Sequence, residues 1–329
     1  MSDAAAERAL LLRLADGPVG GDALAREAGQ TRAAAWKRIQ ALREAGVAIV
    51  AIPGRGYALE QPLDLLVPEA LRDALPAAAR DELDGLEVAW SLESTNSELL
   101  RRAVPARGCA VLLAERQTGG RGRRGRQWSS PLAAHLYLSV ARRFEGGLAR
   151  LGGLSLVAGI ATCEALRGMG IAQVALKWPN DLVVPAGDGL RKLGGLLVEG
   201  GGEAAGAARA AVGIGLNVRM PAAAAADIDQ PWVDLAALQP DVRRGEAAAA
   251  VLGALLPALA AFDRDGLAPF LPRYAALDAL AGRAIRVHAD GGAWPATALG
   301  IAPDGALRVR DGGGRERLVH AGDVSVRAA

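Results

Sequence analysis

The ten residues from 119 to 128, GGRGRRGRQW, hold four arginines and four glycines beside a tryptophan. Glycine lets backbone N–H groups come close to an anion, and arginine supplies a planar fork of charged donors. The pairing points to a phosphate or a nucleic acid. The letters also match G-x-G-x-x-G at Gly120, Gly122 and Gly125. A dinucleotide-binding turn needs a helix to begin within its glycines, whereas here a proline and the strand-like HLYLSV follow. A kinase glycine loop would need H-R-D and D-F-G triplets downstream, and the chain has neither. A single copy between strands is also unlike a repeated, disordered RGG tract. What remains is an ordered anion-binding loop within a catalytic sheet.

Three further stretches carry chemistry. ESTNSELL places Ser94, Thr95 and Asn96 where a strand meets a helix, with Thr95 and Glu98 spaced as a capping box. Capping explains one of these side chains; three consecutive hydrogen-bonding groups suit a polar ring such as an amide or ureido group. LKWPND sets Lys177 and Asp181 around a Trp-Pro turn, and RKLGGLLVE puts Lys192 before two glycines on a strand. Taken singly, each lysine reads as a solvent-facing residue. Cys109 and Cys163 are far apart with no histidine nearby, and read as small buried hydrophobes in a reducing compartment. No Ser/His/Asp or Cys/His group is evident.

These residues need elements to position them, and 329 residues suffice for two or three domains. The net charge of +2 is too small for a protein that coats nucleic acid, so any DNA contact must be local. Residues 7 to 60 read as helix, short helix, turn, helix and hairpin, the order of a winged helix-turn-helix. Thr31 caps the third helix, which carries Arg32, Trp36, Lys37, Arg38 and Arg43, and Arg55 sits at the Pro-Gly-Arg-Gly tip of the hairpin. Thr31, Arg32, Trp36, Lys37, Arg38 and Arg55 are therefore the expected DNA-contacting set. A proline-marked linker leads to a body of strands joined mostly by hairpins, an α+β pattern rather than alternating βαβ. From about residue 279, short alternating strands with Asp-Gly turns read as a small β-barrel. The expected domains are 1–62, 63–278 and 279–329. The N-terminus lacks a signal-peptide pattern and no run of 18 uncharged apolar residues occurs, so a cytoplasmic protein that spans no membrane is expected.

The blocks STN, QTGGRGRRGRQW, KWPND, RKLGGLLVE and GIGLN occur in the order and approximate spacing of bacterial biotin protein ligases. With the winged helix in front and the barrel behind, nearly the whole chain resembles the bifunctional class, which also represses biotin genes. The resemblance implies a central domain like class II aminoacyl-tRNA synthetases and an SH3-like C-terminal barrel. It implies biotin, ATP and Mg2+ as cofactors, and formation of biotinyl-5′-AMP. Biotin is then transferred to a lysine of the biotin carboxyl carrier protein of acetyl-CoA carboxylase. Operator DNA and a homodimer formed when the adenylate is bound are further implied partners.

By the same resemblance, Ser94, Thr95, Asn96 and Gln117 hold the ureido ring, and Arg121, Gly122 and Arg123 close over carboxylate and phosphate. Lys192 is the chief catalytic cation, with Arg123, Lys177 and Asp181 beside it. Trp128 and Trp232 cover apolar surfaces of biotin or adenine, and Asn180 and Asn217 belong to the adenylate-binding set. Lys177, Asn180 and Asp181 serve the phosphates, a magnesium ion or the acceptor lysine, the resemblance not assigning which. The sequence does not assign the magnesium ligands. Two departures stand out: the hairpin before Lys192 is a few residues longer than is usual, and Gly119 replaces a larger residue. A lipoate ligase and a ligand-sensing repressor without ligase activity are the alternatives. The first usually lacks the arginine loop and winged helix; the second is disfavoured by the intact set of cations.

Overall fold

The computed structural model describes residues 3–145, 147, 151–187, 189–202, 208–226, 228–289, 292–321 and 325–328. Helices α1 (Asp3–Ala15), α2 (Gly21–Glu27) and α3 (Arg32–Glu44) precede a two-stranded hairpin of β1 (Ile49–Ile52) and β2 (Gly56–Leu59). Leu10, Leu11, Leu14, Leu24, Ile39, Leu42 and Ile49 form the core of this unit. The Thr31 hydroxyl accepts the Ala34 N–H at 3.2 Å, as the sequence predicts for the start of α3. At the other end Gly46 has φ 96°, and a Cβ there would meet the Pro131 ring at 2.5 Å. Only glycine satisfies both constraints.

Pro131 belongs to the central unit, and Leu132 beside it is buried in the N-terminal core, its N–H donating to the Ala45 carbonyl at 2.7 Å. Burial of a leucine stabilises this join by about 1.5–3 kcal/mol. The predicted linker is structured in its second half. Pro68 opens helix α4 (Pro68–Ala74), where a missing N–H costs nothing. The four-residue α5 (Ala77–Arg80) follows.

The central sheet has seven strands in the order β3-β4-β5-β9-β8-β7-β6. They are β3 (Leu83–Leu92), β4 (Cys109–Gln117), β5 (Leu136–Phe144), β6 (Ala175–Lys177), β7 (Asp181–Ala186), β8 (Gly189–Gly202) and β9 (Ala208–Leu216). β3 and β4 run parallel across helix α6 (Thr95–Arg101), and every other neighbouring pair is antiparallel. The Trp-Pro turn that the sequence sets between Lys177 and Asp181 spans Trp178–Asn180 and separates β6 from β7. Helix α7 (Leu154–Gly168), the short α8 (Ala222–Ala225) and α9 (Leu235–Leu238), α10 (Arg244–Asp265) and α11 (Leu271–Ala275) complete this unit. α8 falls in an alanine-rich stretch that reads as loop. α10 has the length and apolar composition of a membrane span, but it packs on α4, α5 and α7 as a core helix. Strands β10 (Ala284–Ala289), β11 (Gly292–Ile301), β12 (Leu307–Asp311), β13 (Glu316–Val319) and β14 (Ser325–Ala328) form an antiparallel sheet in the order β13-β12-β11-β10-β14. Trp178, 1% exposed, joins this sheet to the body through its indole N–H, which donates to the Gly305 carbonyl at 3.0 Å.

Candidate active site

A cavity of about 890 Å3 opens on one face of the central sheet, lined from the start of α6, the arginine loop, β5 and β7 to β9. Its floor is neutral and polar. Ser94, not Thr95, caps α6, accepting the Ser97 N–H at 3.4 Å. Thr95 is already helical, and Glu98 pairs with Arg101 and Arg102, so the capping box read at Thr95 and Glu98 is corrected. The freed Thr95 hydroxyl donates to Gln117 Oε1 at 3.1 Å, and that same oxygen accepts the Thr95 N–H at 2.8 Å. Ser139 on β5 lies 2.7 Å from both Thr95 Oγ1 and Asn96 Oδ1. Asn96 donates to the Leu197 carbonyl at 3.0 Å and to Glu199 Oε2 at 2.9 Å. Ser94, Thr95, Asn96 and Ser139 are all buried. Such groups satisfy one another until a ligand with matching donors and acceptors replaces part of the network.

One wall is Trp128, whose ring lies against β9: a Cβ on Gly215 would meet it at 2.6 Å. Lys192 Nζ stands 5.5 Å from the ring centroid. Lys192 also reaches Asp181 Oδ1 at 2.8 Å, while Lys177 reaches Asp181 Oδ2 at 3.3 Å. Burial would raise the Asp181 pKa, but Lys192 and then Lys177 outweigh it and hold the carboxyl below its ordinary value. Arg123 completes the cationic side, donating to Asn180 Oδ1 at 3.2 Å and to the carbonyl of Ala321, just beyond β13. Burial draws the Arg123 pKa down, the Asp181 charge opposing and Arg124 adding to the shift.

The arginine loop is folded upon itself. Gly122 N–H donates to the Arg126 carbonyl at 2.7 Å, Trp128 N–H donates to the Gly120 carbonyl at 2.9 Å, and Arg124 has φ 58°. Arg121 turns away from Arg123 and binds Ser97 Oγ at 2.8 Å and Glu199 Oε1 at 3.1 Å.

The cavity therefore gathers Ser94, Thr95, Asn96, Gln117, Arg121, Gly122, Arg123, Trp128, Lys177, Asn180, Asp181 and Lys192. Asn217 stands behind the wall instead, its amide donating to the Lys192 carbonyl at 3.5 Å and the Val233 carbonyl at 3.2 Å. It fixes the main chain of Lys192. Trp232 bridges to the Lys192 backbone, and its neighbours Asp229, Gln230 and Pro231 form the rim. Sequence reasoning passed over Ser139 and Glu199. A lone serine in the apolar run LYLSV was a usable signal for the first; nothing local marks the second.

Outside this cavity, Arg32, Trp36, Lys37 and Arg55 are exposed on α3 and the hairpin tip, with Trp36 52% accessible. Arg38 is tied to Gln30, and Arg43 is turned inward, donating to the Ile49 carbonyl at 2.9 Å. The two cysteines are buried as expected, burial pushing Cys109 up to about 11 and Cys163 to about 12.

Three family models divide the chain: an HTH domain at residues 7–58, the biotin/lipoate A/B protein ligase family at 91–217, and a biotin protein ligase C-terminal domain at 281–327. Fold and site together thus define a protein ligase of the biotin/lipoate type bearing a helix-turn-helix module. The bifunctional ligase/repressor BirA of Salmonella typhimurium is 36% identical, covering 100% of both chains. BirA of Escherichia coli is 36% identical over 100% of this chain and 99% of its own. Among solved structures, the biotin protein ligase from Aquifex aeolicus in complex with biotin and ATP superposes with a TM-score of 0.62 at 26% identity, over 75% of this chain and 100% of that one. The chain belongs to the bifunctional biotin protein ligase/repressor family.

Proposed function

We propose that this protein activates biotin with ATP and transfers it to a lysine of the biotin carboxyl carrier protein, and that it represses biotin genes with biotinyl-5′-AMP as corepressor. The observation that carries the reading is one compartment in which a neutral polar floor adjoins three cations, Arg123, Lys177 and Lys192, grouped about the carboxylate of Asp181. The floor suits a ureido group, and the excess positive charge suits a carboxylate and phosphates.

In the first step a biotin carboxylate oxygen bonds to the α-phosphorus while the bond to the β-bridging oxygen breaks, releasing pyrophosphate. In the second, the carrier lysine amine bonds to the acyl carbon, AMP leaves, and the amine proton passes to solvent. Both nucleophiles come from the substrates. The protein's part is positioning and charge stabilisation, which can supply most of the acceleration in phosphoryl chemistry. Ser94, Thr95, Asn96 and Gln117 would orient the ring. Trp128 would cover its apolar surface. Lys192 would stabilise charge at the α-phosphate, and Arg123 would close on the carboxylate or phosphate. Asn180, Lys177 and Asp181 would order these cations.

No cluster of three or more His, Cys, Asp or Glu side chains suited to a metal exists among the described residues. Magnesium binds through few carboxylates together with substrate phosphates. The lining fits that mode through Asp181, a half-buried carboxylate that Lys177 and Lys192 would share with the ion, and the ion would shield phosphate charge.

The mixed seven-stranded sheet supports a class II aminoacyl-tRNA synthetase-like centre, and the five-stranded antiparallel sheet supports an SH3-like barrel. The proposed boundaries at 1–62, 63–278 and 279–329 fall in the connections between β2 and α4 and between α11 and β10. Exposed Arg32, Trp36, Lys37 and Arg55, with Thr31 capping α3 and Arg38 beside them, would meet operator DNA. A cytoplasmic homodimer is the form we propose for repression. The test is pyrophosphate release from ATP with biotin or lipoate as the acid, followed by lysine labelling of the carrier. Release with lipoate alone would make it a lipoate ligase; no release with either would leave a ligand-sensing repressor.

A further inference from the structure

We infer that Glu199 is a positioning residue of this site, a latch that couples the arginine loop to the buried amide of Asn96; the latch rests on geometry, and its catalytic consequence rests on the ligase reading above. The Glu199 carboxylate faces two ways. Oε1 accepts from Arg121 Nη2 at 3.1 Å, and Oε2 accepts from Asn96 Nδ2 at 2.9 Å. The same Arg121 nitrogen donates to Ser97 Oγ at 2.8 Å. The root of the loop is thereby tied both to the first turn of α6 and to β8.

Asn96 has no slack. Its second amide hydrogen goes to the Leu197 carbonyl at 3.0 Å, and its oxygen lies 2.7 Å from the Ser139 hydroxyl. An amide has two donors, and both are committed within the protein. The sheet gives no room for retreat, since a Cβ on Gly213 would lie 2.6 Å from Asn96 Oδ1. A ligand that takes a hydrogen bond from Asn96 must therefore displace Leu197 or Glu199. Displacing Glu199 leaves its carboxylate wholly to Arg121, and occupancy of the floor is felt at the loop through one side chain.

Arg121 and Arg123 of the loop consequently differ in role. Arg121 is charge-balanced by Glu199, whereas the acceptors of Arg123 are an amide oxygen and a backbone carbonyl, both uncharged. Arg121 holds the loop in register, and Arg123 keeps its charge for an arriving anion.

Two variants separate the parts. Glu199→Gln keeps an acceptor for Asn96 but removes the charge facing Arg121; Glu199→Ala removes both. Amide hydrogen exchange across residues 119–128 of the ligand-free full-length chain should quicken in the order wild type, Gln, Ala. Dissociation of biotinyl-5′-AMP should quicken in the same order, by about tenfold in the alanine variant, and Arg121→Gln should add little to Glu199→Gln because either change breaks the same pair. Should Glu199→Ala fail to fold, Glu199→Gln decides. Unchanged loop exchange in Glu199→Gln overturns the latch whatever the activity. Faster exchange with unaltered adenylate retention, or losses that multiply in the double variant, overturns the coupling to catalysis. A wild-type chain that releases no pyrophosphate in response to biotin would sink the ligase reading and leave the exchange result to judge the latch.

Discussion

Lys192 and Arg123 flank the same carboxylate, and in the proposed mechanism they serve different moments of the reaction. Lys192 is held by Asp181 on one side and the Trp128 ring on the other, so its charge is preorganised for the α-phosphate that the proposed mechanism places beside it. Replacing it by alanine removes one oriented charge, and biotin-dependent pyrophosphate release should fall roughly a hundredfold or more, with biotin affinity far less affected. Near-normal release would remove Lys192 from the chemistry. Arg123 sits on a pliable loop, and its proposed task is retention. Arg123→Gly should still form the adenylate, more slowly, and let it escape to acylate accessible lysines elsewhere. A streptavidin blot with serum albumin as bystander reads this directly; labelling confined to the carrier would contradict the clamp. That Arg123 lines a cavity could be anticipated from four arginines set among four glycines, whereas Lys192 taken singly reads as solvent-facing and stands out only through the family resemblance. Glu199 could not be anticipated, because a carboxylate at the end of an apolar strand looks like any solvated strand end until the fold brings Arg121 and Asn96 to it.

Among the elements, α10 is anchored by a buried joint. Arg244 on α10 pairs with Glu115 on β4 at 2.7 Å, donates to the Asp64 carbonyl at 2.7 Å and to the His135 carbonyl at 3.0 Å, while Glu115 accepts the Leu66 N–H at 2.7 Å. The linker from the N-terminal unit is thus clamped to the sheet. His135 in this joint is buried and neutral: desolvation first, then the Arg244 charge, lowers its pKa to about 3, and its Nδ1 accepts the Val218 N–H at 3.1 Å. A depressed histidine contributes stability that is whole above its unfolded pKa and lost as pH falls. Below pH ~6.5 the chain should therefore lose up to about 1.4 kcal/mol per pH unit from this group, continuing towards the folded value. Denaturant melts of wild type and His135→Asn, which keeps an acceptor for Val218, would show it: the variant should have the flatter slope. Helices, hairpins and the β-rich C-terminus were legible from periodicity and turn residues. The parallel pairing of β3 with β4 and the use of Ser94 rather than Thr95 as cap were not, because both depend on which strand lies alongside.

At the scale of the whole molecule, DNA-facing and catalytic parts share a structural segment. The chain that carries Trp128 into the cavity continues through Pro131 and Leu132 into the N-terminal core. Trp90 on β3 also donates to Glu7 of α1 at 3.1 Å. Deleting residues 1–62 should abolish operator binding in gel shifts. It should also lower ligase activity, since Leu132 loses its surroundings; Leu132→Ser in the truncated chain should improve solubility without restoring that activity. In the intact protein, operator affinity should rise when biotinyl-5′-AMP is bound, and indifference to the ligand would contradict the coupling.

Leu132 also sets a schedule for the nascent chain. The helix-turn-helix residues leave the ribosome first, but the leucine that fills their core at Ala45 is encoded some 70 residues beyond residue 62. At about 5–20 residues per second, that leaves the unit unfinished for roughly 4–14 s. During that interval Ile39, Leu42 and Ala45 present an unfilled apolar notch. Ribosome-stalled chains cut before and after residue 132 should differ in protease resistance over residues 1–60, the longer ones being protected. The segment between the two chemistries is thus also the one on which the first domain waits to finish folding.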